Sequence, residues 1–214
     1  MSTVVIFARA PQLGEVKTRL GKIVGAERAL ALYEAFLEDT CALTQGLGAR
    51  RIMAVAGDVD HPRVQHLAKS QRLTVEPQGD GDLGERMARA VARHVATGPV
   101  VIVGSDSPTL PRAYVHQALD ELMTHDVVIG PSDDGGYYLV GARVEVPELF
   151  AGVRWSTPEV LATTIERLGA RPHVLLPAWH DVDSAEDLAR LDRELPTLPP
   201  SVAPATRRVI GSAP

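Results

Sequence analysis

Val4-Val5-Ile6-Phe7-Ala8 empties into Arg9-Ala10-Pro11-Gln12-Leu13-Gly14-Glu15-Val16-Lys17-Thr18-Arg19-Leu20, and this passage decides the fold. An apolar, β-branched run that ends in a Pro- and Gly-bearing loop reads as a buried strand followed by a turn. A helical pattern then starts near Ala26. In open α/β sheets the loop at the carboxyl end of such a strand is where ligands bind. This loop carries Arg9, Lys17 and Arg19, and clustered cations there suggest a polyanion, most simply a nucleotide phosphate chain. The motif is not a P-loop. That loop needs G-x-x-x-x-G-K-[ST] to wrap backbone N–H groups around phosphate, whereas here Val16 precedes the lysine and Gly14 alone supplies flexibility.

Working outward, residues 26–45 place Leu30, Tyr33, Leu37 and Cys41 at near-helical spacing, with Gly46 or Gly48 to end the helix. Strands are expected at 51–56, 73–75, 99–103, 126–130 and 173–176, and helices at 62–70, 82–96, 111–122, 158–168 and 184–195. The uninterrupted apolar run 99–103 suits the centre of a parallel sheet. The rhythm breaks at Gly135 to Gly141, which reads as an inserted strand, antiparallel to its neighbours. Strands alternating with helices predict an α/β protein with a doubly wound, mostly parallel sheet in three α/β/α layers. The expected domain spans 1–195. Residues 196–214, rich in Pro, Ser and Ala, read as a loose tail.

The composition narrows the class. A formal charge of −5 argues against a general nucleic-acid binder. Cys41 is the only cysteine, which excludes an intrachain disulfide and a multi-cysteine zinc site. The sequence shows neither a basic-then-apolar leader nor an apolar run near twenty residues, so the expectation is a cytoplasmic protein with no membrane partner.

Three acidic clusters follow strand ends. Ser105-Asp106-Ser107-Pro108 comes just after the central strand, on the same sheet edge as the first loop. Its carboxylate suits Mg²⁺ or Mn²⁺ bridging phosphate oxygens, although Asp106 or Thr109 also suits the cap of the next helix. In His180-Asp181-Val182-Asp183-Ser184, the Ser184 hydroxyl and the acids Glu186 and Asp187 mark a helix start. Asp181 and Asp183 precede that start and alternate as at a strand end, so one of them is expected to face the same metal as Asp106. Asp133-Asp134-Gly135-Gly136-Tyr137 forms a flexible loop over the same edge; Asp-Gly also favours a hairpin turn.

FARAPQLGEVKTRL, GDLGERM, GSDSPTLP, GPSDDGGYYLVG, RWSTPEV and DVDSAEDL occur in order between residues 7 and 188. Together they resemble the bacterial DUF2064 family, also called the "transferase 1, rSAM/selenodomain-associated" family, of the GT-A nucleotide-diphospho-sugar transferase superfamily. Its relatives include 2-phospho-L-lactate guanylyltransferase and the molybdenum-cofactor nucleotidyltransferases. The resemblance implies that Lys17 contacts the α- and β-phosphates with Arg19 beside it. It implies that Asp106 and Asp183 hold the metal with Asp181 as a helper, and that the 79–84 loop lies near base and ribose. One departure stands out: Ala8-Arg9-Ala10-Pro11 replaces the L-A-G-G-x-G-type loop of typical sugar nucleotidyltransferases.

The site expected from these readings has Lys17, Arg19 and Asp106 as catalytic residues. Ala8, Arg9, Gly14, Gly81, Asp82 and Gly84 join Lys17 and Arg19 in binding nucleotide. Asp133, Asp134, Gly135, Gly136, Tyr137, Trp155 and Ser156 form the acceptor side. The expected partners are a nucleotide, as triphosphate or diphospho-sugar, and a small-molecule acceptor. The leading expectation is a metal-dependent nucleotidyltransferase moving a nucleoside monophosphate to a phosphorylated acceptor. The alternatives are a glycosyltransferase with a nucleotide-sugar donor, in which Asp133 or Asp134 serves as base, and a non-catalytic nucleotide-binding domain.

Overall fold

The structure, a computed structural model, describes residues 1–211. Among the described residues seven strands run β1 (Thr3–Arg9), β2 (Arg50–Ala56), β3 (Thr74–Pro77), β4 (Val100–Gly104), β5 (Val127–Pro131), β6 (Tyr137–Ala142) and β7 (His173–Leu175). They form one sheet in the order β3-β2-β1-β4-β6-β5-β7. β6 pairs antiparallel with both β4 and β5, and every other pairing is parallel. The inserted antiparallel strand is therefore present. Its hairpin with β5 turns through Gly135 at φ 89°, a conformation that Asp-Gly sequences accept cheaply.

The central strands are largely apolar because both faces of the sheet are covered, whereas the edge strands β3 and β7 are partly exposed. Val4, Ile6 and Ala8 of β1, with Met53, Val55, Val101, Val103 and Val128, enter one core with Leu37 and Cys41 of α2 (Ala26–Leu43). Helices α3 (Pro62–Gln71) and α5 (Arg112–Glu121) add Val64, Leu67, Val115 and Ala118 to it. The alternate residues Val5, Ile52, Ala54, Val100, Ile102 and Ile129 meet α4 (Leu83–His94) and α6 (Val160–Leu168) on the other side. Period-two alternation with apolar residues at both phases is the signature of a strand covered on both faces.

Two elements differ from the sequence reading. Residues 18–24, expected as loop, form a short helix α1 (Thr18–Val24) that ends at Gly25, φ 87°. Residues 196–211, expected as a loose tail, are docked: α8 (Pro204–Gly211) follows α7 (Ala185–Glu194) and packs on α2. Buried Asp39 of α2 accepts hydrogen bonds from the Ala205 and Thr206 amides at 2.9 and 2.8 Å and from the Thr206 hydroxyl at 2.7 Å. Arg207 donates to the carbonyls of Leu195, Leu198 and Val202. A remote carboxylate thus satisfies the orphan N–H groups of a helix too short to persist alone. The last three residues of the expected tail lie outside the described residues. Leu20, Leu32, Phe36, Val182, Leu191, Leu195 and Ala203 close a third core between α1, α2, α7 and the α8 segment.

Candidate active site

The carboxyl ends of β1 and β4 sit side by side, so Arg9 and the Ser105-Asp106 segment open on one edge. Asp181 and Asp183 come from the chain after β7. The Val182 amide donates to the Asp106 carbonyl at 2.9 Å, and the Val182 side chain is fully buried in the third core. Burying the middle residue of an extended triplet turns its two neighbours the other way, toward the cleft. The sequence pattern Asp-Val-Asp therefore has a structural cause.

Lys17 lies at the centre. Its Nζ is 2.5 Å from Asp106 Oδ1 and 2.6 Å from Asp183 Oδ1, and its side chain is 4% exposed against 41% and 49% for the two acids. The ammonium also stands 5.6 Å from the Phe36 ring centroid. Burial alone would push this lysine toward neutrality, but the charges of Asp106 and Asp183 outweigh it and hold its pKa well above the ordinary value. Lys17 precedes α1 with φ 46°, ψ 42°, a left-handed backbone unusual for a side chain of this size. Tyr33 of α2 fixes the neighbouring strand end: its hydroxyl donates to the Arg9 carbonyl and accepts from the Arg9 amide. Burial pushes the Tyr33 phenol up to about 12, so it stays a neutral clamp.

Asp181 sits behind the other two acids. Its carboxylate accepts from the Ser107 and Ser132 hydroxyls, and burial followed by the charge of Asp106 raises its pKa to about 6. Of the two readings of Asp106, the cap is not realised: α5 begins at Arg112, with Pro111 at its N-cap and no side-chain cap. Ser184 does cap α7, in a reciprocal box with Asp187.

These groups open into a cleft of about 830 Å³, room for a nucleotide and a small acceptor together. Ala8, Arg9, Lys17, Arg19, Asp106, Asp181, Asp183, Asp134, Gly136, Tyr137, Trp155 and Ser156 all line it. Six expected residues do not. Gly14, φ 79°, and Gly81, φ 100°, shape exposed turns. The Asp82 carboxylate is engaged in the capping box of α4 with Glu85. Gly84 is covered by Trp155, whose ring would lie 2.6 Å from a Cβ at that position. Asp133 points outward to Arg190, 3.0 Å away, and Gly135 is pressed against the Pro158 carbonyl. The side expected to take the acceptor is otherwise aromatic, with Tyr137 and Trp155 edge to face at 6.2 Å.

Residues not anticipated from sequence complete the lining. Buried Gln78 donates from Nε2 to the Ala8 and Ala54 carbonyls, which ties β3 to β1 and β2. Leu83, Arg86 and Met87 present the i, i+3, i+4 face of α4, and Arg86 is oriented by a 2.8 Å bond from Nε to the Gly81 carbonyl. The GDLGERM segment contains all three, and helical spacing counted from Leu83 would have found them. Arg9, Arg19 and Arg86 form no ion pair with a described acid.

Hard carboxylate donors fit a divalent cation of the Mg²⁺ or Mn²⁺ kind. Asp106 and Asp183 aim one oxygen each at a single point, now held by the Lys17 ammonium. Among the described residues no group of three acids, histidines or cysteines forms a metal cage.

Fold and cleft together are those of the nucleotide-diphospho-sugar transferase class of proteins. The chain belongs to the family described as "Uncharacterized protein conserved in bacteria (DUF2064)", whose profile matches residues 40–157. A 3-phospho-D-glycerate guanylyltransferase from Phenylobacterium zucineum (strain HLK1) is 33% identical over 136 residues, covering 61% of this chain and 62% of that protein. The match thus spans somewhat less than two thirds of the curated relative. The crystal structure of a candidate nucleotide-diphospho-sugar transferase from Desulfovibrio desulfuricans G20 has 33% identity and a TM-score of 0.87, covering 97% of this chain and 94% of that one. A cytidylyltransferase from Leptospira borgpetersenii serovar Hardjo-bovis (strain JB197) shares the fold at a TM-score of 0.62 and 12% identity, covering 98% and 93%. Among the described residues no helix is long and apolar enough to cross a membrane.

Proposed function

We propose that this protein is a metal-dependent nucleotidyltransferase that moves a nucleoside monophosphate from a triphosphate to a phosphorylated small-molecule acceptor. The observation that carries the reading is the Lys17–Asp106–Asp183 centre at the floor of the cleft, flanked by the unpaired cations Arg9, Arg19 and Arg86. The guanylyltransferase relative supports guanine as the base and a phosphoglycerate-type acid as the acceptor.

An acceptor phosphate oxygen attacks the α-phosphorus. A new P–O bond forms, the bond to the β-phosphate oxygen breaks, and its electron pair leaves with pyrophosphate. Lys17 and Arg19 meet the negative charge that gathers on the transferring and leaving phosphates. Asp106 and Asp183 would hold a divalent cation, which would supply charge neutralisation and orientation to the phosphates. Asp181 is itself held beside those acids by the Ser107 and Ser132 hydroxyls. The attacking phosphate is already ionised, so the chain has no need of a general base.

Asp134 in the cleft lining favours a second reading, glycosyl transfer from a nucleotide-sugar, because a hydroxyl acceptor requires a base. Thermal shift with Mg²⁺ and each nucleoside triphosphate or nucleotide-sugar separates the two. GTP is expected to give the largest shift. Stabilisation by nucleotide-sugars alone would overturn the nucleotidyl reading, and none by any nucleotide would overturn both transferase readings and the non-catalytic nucleotide-binding alternative with them.

A further inference from the structure

We infer that Lys17 is the resident cation of the Asp106–Asp183 site in the free protein, so that a divalent metal enters only in company with nucleotide phosphates. The inference rests on the metal–nucleotide reading above and adds an order of events to it.

Both carboxylates spend their inward oxygens on the same ammonium, at 2.5 and 2.6 Å. A metal ion binding those oxygens at about 2.0–2.1 Å would occupy the same space, and two cations cannot share it. The lysine is not merely passing through this position. Its side chain is buried on the Phe36 ring, and its backbone is held at φ 46°. A non-glycine residue in that region carries strain of about 1 kcal/mol or more, which surrounding contacts must offset. Leu20, three residues on, is fully buried in the third core and anchors α1 from the other side. The ammonium is therefore presented to the acids by a rigid turn.

For the metal to take the site, the ammonium must find other anions. The triphosphate supplies them: its oxygens draw Lys17 off the carboxylates as the metal arrives already carrying phosphate ligands. Free metal brings no such compensation, and would strand a buried ammonium beside a divalent cation. The same lysine thus guards the site before nucleotide binds and holds phosphate afterwards.

The test is titration with Mn²⁺ read by water-proton relaxation, on the full chain, alone and with a non-hydrolysable GTP analogue. Wild-type protein is expected to bind Mn²⁺ weakly alone and tightly with the analogue. Lys17→Met is expected to bind Mn²⁺ alone about tenfold more tightly than wild type, the size expected for two partly exposed ion pairs released from competition. Equal Mn²⁺ affinity in wild type with and without analogue would overturn the inference while leaving the nucleotide reading intact, and needs no variant. Lys17→Met that folds but binds Mn²⁺ no better would overturn it as well. A protein that takes neither Mn²⁺ nor Mn²⁺-analogue would remove the nucleotide reading and this inference together.

Discussion

Gly84→Ala offers a sharp test of how the cleft wall is built. Gly84 is buried in the first turn of α4, and an added Cβ would stand 2.6 Å from Trp155 Cζ2, 2.8 Å from the Phe150 carbonyl oxygen and 2.9 Å from Trp155 Nε1. Comfortable carbon–carbon contact is about 3.5–4.0 Å, so the indole and the 150–155 segment must retreat by close to an ångström. Trp155 cannot simply swing aside, because its ring is set edge to face against Tyr137. Overpacking of this kind costs about 1–3 kcal/mol, offset by up to about 1 kcal/mol of better helix propensity. The net, about 1–2 kcal/mol, corresponds to a fall in Tm of about 2–8 °C for a chain of this size. Gly21→Ala in α1 is the control: its Cβ would meet only Ala29 Cβ at 3.5 Å and the Ala26 Cα at 3.8 Å, ordinary contacts, so Tm should hold or rise. Calorimetry measures both variants, and tryptophan emission, which comes from Trp155 and Trp179 alone, should change only in Gly84→Ala. A Gly84→Ala protein as stable as Gly21→Ala, with unaltered emission, would refute the close packing of α4 on Trp155.

Asp106→Asn should weaken Mg²⁺-nucleotide binding, read by calorimetric titration, because an amide gives the cation an oxygen without a charge; unchanged affinity would remove Asp106 from the site. Asp133→Asn should leave steady-state kinetics as in wild type, since its carboxylate faces Arg190 outside the cleft. Asp134→Asn should cost much less than the 10²–10⁴-fold expected for losing a general base, and should act mainly on acceptor KM. A full base-sized loss in kcat would favour glycosyl transfer. At Asp187, burial favours the neutral acid, but bonds from the Ser184 hydroxyl and two backbone amides outweigh it and hold the pKa below the usual carboxylate range. That contribution is present above about pH 4 and is lost as pH falls through the lowered value. Asp187→Asn should therefore reduce Tm at neutral pH and converge on wild type in acid, as thermal melts across pH will show.

What the sequence displays most clearly is whatever repeats locally. The apolar runs at 4–8 and 99–103, the Gly-Gly-Tyr-Tyr break in rhythm and the Ser184 cap all carry short-range signals, and each has its counterpart in the sheet and helices. The α8 segment was not legible because Pro204–Gly211 has little intrinsic helicity; its order comes from Asp39, 166 and 167 residues earlier. Lys17 shows the same limit within the site. A lysine in a loop reads as solvated, and only the convergence of β4 and the Asp181–Asp183 stretch, 166 residues away for Asp183, encloses it. The glycines were legible as special but not as to why: Gly84 makes room for a tryptophan rather than for a ligand. Asp133 and Asp134 look alike in sequence, and only the direction of the turn sends one to Arg190 and leaves the other in the cleft.

Cleavage of a nucleoside triphosphate between its α- and β-phosphates in this cleft can be read by ³¹P NMR. The purified chain would be incubated with Mg²⁺, GTP and 3-phosphoglycerate. Pyrophosphate is expected to appear in step with a new phosphoanhydride between GMP and the acceptor phosphate, only when both substrates and the metal are present. Release of inorganic phosphate alone, or no reaction with any triphosphate while a nucleotide-sugar yields free nucleoside diphosphate and a glycosylated acceptor, would contradict it.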